Sequence, residues 1–210
     1  VYKTGLYVKD QINGIGTLTY VDPNTKVFGA LGHEIADKNT LAKVEIDGGY
    51  IFKSEITGIT PSKDGEPGSK EAKLYNNVSY GEINSNTDAG IFGTVNDNFL
   101  DENLITVADS SEIMIGTAQI RTVIDGYDIG NYDIEIIDID YDNPTKNILF
   151  KITDKELLSK TGGVVAGMSG SPIIQNNKII GAVTHVVVND PDKGYGIFIT
   201  TMLKEGERKE

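Results

Sequence analysis

The sequence predicts an all-β fold built as two barrel-like halves. Three observations point there. Short runs rich in Val, Ile, Thr and Tyr follow one another along the chain, a composition that suits a pleated, half-buried surface. Turn signals separate them: Asp22-Pro23-Asn24, Asp47-Gly48-Gly49, Asp125-Gly126, Asp142-Asn143-Pro144 and Asn176-Asn177. Glycine supplies 24 of the 210 residues, about 11% against a usual ~7%, so many tight turns or bulges are expected.

In chain order the strand-like runs are Gly14–Tyr20, Val27–Leu31, Leu41–Ile56, Val78–Ile83, Ile91–Val95, Ile113–Ile124, Tyr132–Tyr141, Asn147–Thr153, Pro172–Gln175, Lys178–Val188 and Gly194–Thr200. Residues Thr60–Lys73 (TPSKDGEPGSKEAK) are polar and carry Pro and Gly, which predicts a long exposed connector. Helical signal is scarce. Asp154–Lys160 can make one or two turns capped by Asp154 or Thr153, and Thr200–Glu210 is helix-compatible. One domain over 1–210 is expected, with the break between its halves at 96–115. No repeat of 20–50 residues is visible.

Composition excludes several function classes. The formal charge is −12, whereas a nucleic-acid binder needs a basic surface to displace counterions. Cysteine is absent, so disulfides, thiolate metal sites and cysteine nucleophiles are ruled out. No run of 18 apolar residues spans a membrane, and no signal peptide is present. The opening Val1-Tyr2-Lys3-Thr4-Gly5 reads as the start of an excised domain. Asp138, Asp140 and Asp142 alternate and share one strand face. The EF-hand pattern fails there, because Asn143 stands where Gly is needed and Leu149 where Glu is needed. A solvated acidic face is expected; no metal and no cofactor are called for.

The chemistry concentrates in Gly162–Pro172 (GGVVAGMSGSP). A nucleophilic serine needs a tight loop that exposes Oγ and aims backbone N–H groups at the developing oxyanion. Ser169 fits as nucleophile, with the N–H groups of Gly167 and Ser169 as oxyanion donors. Ser171 is the rival nucleophile, more simply a small residue held extended before Pro172. A nucleophilic serine needs a neighbouring base, histidine has the right pKa for it, and the chain has two. His33, in Gly29-Ala30-Leu31-Gly32-His33-Glu34-Ile35, is the candidate. His185, between Thr184 and Val186, better suits a strand edge that lines substrate. The acid stays open at this point, since 31 carboxylates compete. Asp154, Asp37 and Asp88 are the contenders.

From Gly167 onward, GMSGSPIIQNNKIIGAVTHVVVND resembles the segment around the nucleophile of trypsin-like enzymes, without a gap. That likeness implies a chymotrypsin-like double β-barrel. It also places Thr184, His185 and Val186 on the strand edge that pairs with substrate. Met168 replaces the usual Asp, and Gly163 stands where trypsin has its specificity acid, so no preference for basic side chains is implied.

Across most of the chain, FGALGHEI, GTAQIRTVIDG, TGGVVAGMSGSPIIQNNKIIGAVTHV and NDPDKGYGIFI resemble the peptidase domain of the stage IV sporulation protein B family. These are serine peptidases of endospore-forming bacteria. The resemblance implies a triad of His33, Asp154 and Ser169. It implies a membrane anchor and a PDZ domain ahead of the peptidase domain, neither found in this sequence. It also implies self-cleavage, and cleavage of an extracytoplasmic segment of a partner membrane protein between forespore and mother cell. The competing class is a non-catalytic, peptide-binding β-domain of the spore envelope.

Overall fold

The computed structural model describes residues 13–37, 40, 42–46, 48–96 and 104–208. Leu41, Asp47, residues 97–103 of the expected break and the opening residues 1–12 lie outside these.

The first half holds β1 (Leu18–Val21), β2 (Val27–Ala30), β3 (Gly49–Thr60), β4 (Ser69–Thr87) and β5 (Gly90–Val95). They form one antiparallel sheet in the order β1-β2-β5-β4-β3. The second half holds β6 (Thr106–Val107), β7 (Gly116–Val123), β8 (Ile129–Ile139), β9 (Ile148–Ile152), β10 (Pro172–Gln175), β11 (Lys178–Val186) and β12 (Lys193–Phe198). Here β7-β8-β9-β12-β11-β10 runs back to β7 and closes a six-stranded barrel, while β6 adds in parallel beside β11. The architecture is therefore all-β and chymotrypsin-like, with one closed barrel and one open half-barrel.

Side-chain alternation explains why the barrel closes. Along β8, Tyr132, Ile134 and Ile136 are buried while Asp133 and Glu135 face water; along β9, Ile148, Phe150 and Ile152 point inward. These residues join Ile120, Ile173, Ile180 and Met168 in one large core. The first half has a thinner core of Phe28, Ala30, Ile91 and Val95. Asn176 and Asn177 both adopt positive φ and turn β10 into β11, as a two-residue hairpin requires. Asp138, Asp140 and Asp142 are exposed.

Two short helices complete the chain. α1 (Lys155–Thr161) starts at Asp154, whose carboxylate accepts from Leu157 N at 2.9 Å, and stops at the left-handed Gly162. α2 (Ile199–Gly206) packs Met202 against Phe92 and Ala89 of the open sheet and Ala182 and Ile197 of the barrel, tying the halves together.

The polar stretch Thr60–Lys73 departs from the expected connector. β3 runs to Thr60, β4 begins at Ser69, and Lys63 and Glu66 exchange backbone bonds across the tip. Ser62 is buried: its Oγ donates to Val164 O at 2.7 Å and accepts from Gly68 N at 2.8 Å. Residues 63–67 at the tip are exposed, as the composition predicts, but Ser62 satisfies a backbone carbonyl next to the serine loop, which composition alone reads as solvation.

Candidate active site

The serine loop lies between α1 and β10. Ala166 exchanges backbone bonds with Gly68 and Lys70, so the start of β4 flanks the loop. Gly167 and Gly170 have φ of +95° and +87°, values that glycine alone adopts without strain. A Cβ on Gly170 would stand 2.1 Å from Thr17 O and 2.6 Å from Leu31 N. Met168, fully buried in the barrel core, anchors the loop from below. Ser169 is left half-buried at the surface.

Ser169 Oγ lies 2.9 Å from His33 Nε2 and 3.1 Å from Thr184 O. The two residues come from different halves. His33 follows β2 on a turn in which Leu31 and Gly32 both take positive φ, and a Cβ on Gly32 would press on Thr184 and Ile197. The turn thus packs directly on the barrel and aims the imidazole across the seam. His33 Nδ1 lies 2.7 Å from Glu34 O. A carbonyl oxygen only accepts, so Nδ1 carries the proton and Nε2 offers its lone pair to Ser169. Asn86 on β4 holds this turn: it accepts from Ile35 N and donates to the carbonyls of Ile35 and Val44, at 2.8–2.9 Å.

The remaining parts surround this pair. Among the described residues, neither Gly167 N–H nor Ser169 N–H has an acceptor in the chain, whereas Met168, Gly170 and Ser171 N–H are all engaged. The two free donors are the pair a developing oxyanion requires. Ser171 is fully buried and donates to Thr122 Oγ1 at 2.9 Å, which removes it as a nucleophile. Thr184, His185 and Val186 end β11 beyond its pairing with β10, which stops at Ala182, leaving their near edge without a partner strand among the described residues. The His185 ring stands 5.1 Å from that of His33, with its Nδ1 buried and unpartnered. Burial, reinforced by His33, pushes the His185 pKa down to about 4, so it is neutral at pH 7.

The profile of the SpoIVB peptidase S55 family matches residues 1–203. The chain belongs to this family. This S55 peptidase is accordingly a serine endopeptidase. No curated protein sequence matches it. It is similar in part to two crystal structures of Rv3671c. One is described as the protease in inactive form, at 15% identity over 65% of this chain and 73% of that one, with a TM-score of 0.44. The other is a serine-to-alanine mutant from M. tuberculosis H37Rv, at 15% identity over 64% and 69%, with a TM-score of 0.43.

In the S55 chain the acid departs from expectation. Asp154 is not brought to His33; its carboxylate caps α1 through Leu157 N. Asp37 accepts from Thr40 in a local turn, and Asp88 pairs with Lys43 at 3.0 Å. The position a triad acid would occupy, at His33 Nδ1, is held by the Glu34 carbonyl. A capping Asp and an orienting Asp are the same residue type in a sequence, and only the fold separates them. Sequence reasoning also missed Asn86 and Lys70. Lys70, beside the serine loop, is 5% exposed and donates to Thr122 Oγ1 at 2.8 Å. Its neighbours in sequence are polar, and nothing in the pattern marks it as buried.

Proposed function

We propose that this S55 peptidase cleaves protein substrates with a Ser169–His33 dyad, oriented by a backbone carbonyl in place of a carboxylate. The observation that carries the reading is the 2.9 Å contact between Ser169 Oγ and His33 Nε2 across the two halves. Ser169 Oγ attacks the scissile carbonyl carbon, and its proton passes to His33 Nε2. The imidazolium keeps its Nδ1–H on Glu34 O. Gly167 and Ser169 N–H bind the oxyanion. Collapse breaks the C–N bond, the amine leaves with the proton from Nε2, and water activated by His33 hydrolyses the acyl-serine.

The substrate extends β11 by pairing with Thr184–Val186. In line with the family, the substrates are this protein itself and an extracytoplasmic segment of a membrane-anchored sporulation protein, met between forespore and mother cell. The reaction needs no cofactor. A fluorophosphonate probe tests the chemistry: it labels the wild-type protein, and labelling vanishes in Ser169→Ala and in His33→Ala. Self-cleavage that continues in a folded Ser169→Ala variant would instead identify a non-catalytic, peptide-binding domain cut by another enzyme.

A further inference from the structure

Lys70 is an expensive residue. An ammonium taken out of water is costly unless an anion or a full set of acceptors receives it. Lys70 projects from β4 of the open sheet into the barrel side of the seam, where Thr122 Oγ1 is the single hydrogen-bond partner of its ammonium among the described residues. Among the described residues no charged group faces it from any packed element; hydroxyls and the serine loop surround it. A Met would fill the same volume without the penalty.

Its position relates it to the nucleophile loop in two ways. The stem lies on Gly167: a Cβ there would come within 3.2–3.3 Å of Lys70 Cβ, Cγ and Cδ. The ammonium end joins a chain of hydroxyls that returns to the same residue. Ser171 Oγ donates to Thr122 Oγ1, Thr17 Oγ1 lies 3.3 Å from Ser171 Oγ, and Thr17 Oγ1 donates to Gly167 O at 3.3 Å. The Lys70 backbone adds a third tie, donating to Ala166 O at 2.9 Å. One side chain therefore forms the floor of an oxyanion residue and places a positive charge behind it.

We propose that Lys70 is a positioning residue for the oxyanion loop: its stem fixes Gly167, and its buried charge favours the negative charge that develops in front of the loop. This rests on the reading of Ser169 as nucleophile. Fixed charge in a dry site acts on a developing oxyanion with little screening. Burial pushes the Lys70 pKa down to about 8, so the cation is present at neutral pH and is lost as pH rises through that region. Reactivity should then fall on the alkaline side as the cation is lost.

The test is the second-order rate of fluorophosphonate labelling between pH 6 and 10, with thermal unfolding run alongside. The wild-type rate should fall above roughly pH 8. Lys70→Met should stay folded, label about tenfold more slowly or worse at pH 7, and lose the alkaline fall. A folded Lys70→Met with the wild-type rate and profile overturns the proposal, as does a wild-type profile flat to pH 10. If Lys70→Met does not fold, Thr122→Val decides. It removes the hydrogen-bond acceptor of the charged form, so the alkaline fall should move to lower pH; an unmoved fall overturns the proposal. Absence of labelling in the folded wild-type protein has a separate meaning, since it removes the nucleophile assignment itself.

Discussion

The closed barrel carries Ser169 and the free N–H groups of Gly167 and Ser169, the proposed oxyanion donors, on a loop anchored from below by the fully buried Met168. The open sheet carries His33 on a surface turn above a core of four buried side chains, and that turn is held by the three bonds of one Asn. The halves thus differ in how their half of the site is secured. Barrel closure pairs the strands around the ring and places Ser169 in a packed, cooperative unit. The base depends on local polar contacts and on docking of the sheet against the barrel. The nucleophile half is preorganised by its own fold, and the base half by the seam.

The largest effect should come from breaking the seam. Gly170→Ala places a Cβ against Thr17 O and Leu31 N, at a φ of +87°. The open sheet must retreat from the serine loop, taking His33 with it. A misplacement near 1 Å costs on the order of 100-fold, so labelling should fall by at least that factor. Gly14→Ala, whose Cβ meets nothing within 4 Å, should label like wild type. Equal rates for Gly170→Ala and wild type would show that the base does not depend on the seam.

Asn86→Ala comes next and affects only the open sheet. It strands Ile35 N–H and the carbonyls of Ile35 and Val44. Stability should drop by about 1–3 kcal/mol, and the labelling rate by roughly 10-fold. Asn86→Asp should resemble Ala, because a carboxylate cannot donate to the two carbonyls. Rescue of the rate by Asp would contradict the role given to the amide. Denaturant unfolding followed with the labelling rate separates loss of fold from loss of geometry.

His185 reports on the seam from the barrel side. Its pKa, near 4 in the folded protein, lies below the ordinary histidine value of 6.5 because of burial and then His33. The unfolded chain therefore binds more protons there between pH 6.5 and 4, and stability falls with pH across that window. His185→Gln should flatten this slope, leaving the melting temperature at pH 4.5 a few degrees closer to its value at pH 7. An unchanged slope would mean that His185 is wetter than its buried Nδ1 indicates.

The same contrast explains what could be read from the sequence. Barrel strands announce themselves through alternation, as in Tyr132, Ile134 and Ile136, and Gly-x-Ser-Gly marks a loop that only glycines can turn. The pairing of His33 with Ser169 was legible for a similar reason: two histidines leave few choices for a base. The open sheet was harder. β4 runs from Ser69 through a stretch whose polarity suggests a loop. Ser62 and Lys70 are buried against their hydropathy; hydrogen bonds replace water for Ser62, whereas Lys70 keeps one acceptor, Thr122 Oγ1, among the described residues.

The smallest effect on rate is also the one that bears most on the acid. Asp154 belongs wholly to the barrel half, where it caps α1 and touches nothing in the His33 turn. Asp154→Ala should cost about 1 kcal/mol of stability, the usual worth of a cap, and leave the labelling rate within twofold of wild type. Asp154→Ser, which can still cap, should recover the stability. A triad acid behaves differently: removing its charge while keeping its shape costs about 10⁴ in rate. Asp154→Asn therefore separates the two roles, since an amide oxygen still caps the helix but cannot stabilise an imidazolium as a carboxylate does. Retained rate in Asp154→Asn leaves the Glu34 carbonyl as the group that orients His33. It would also account for a base held by so many neutral contacts, because a carbonyl dipole fixes the tautomer only while the turn that carries it stays in place.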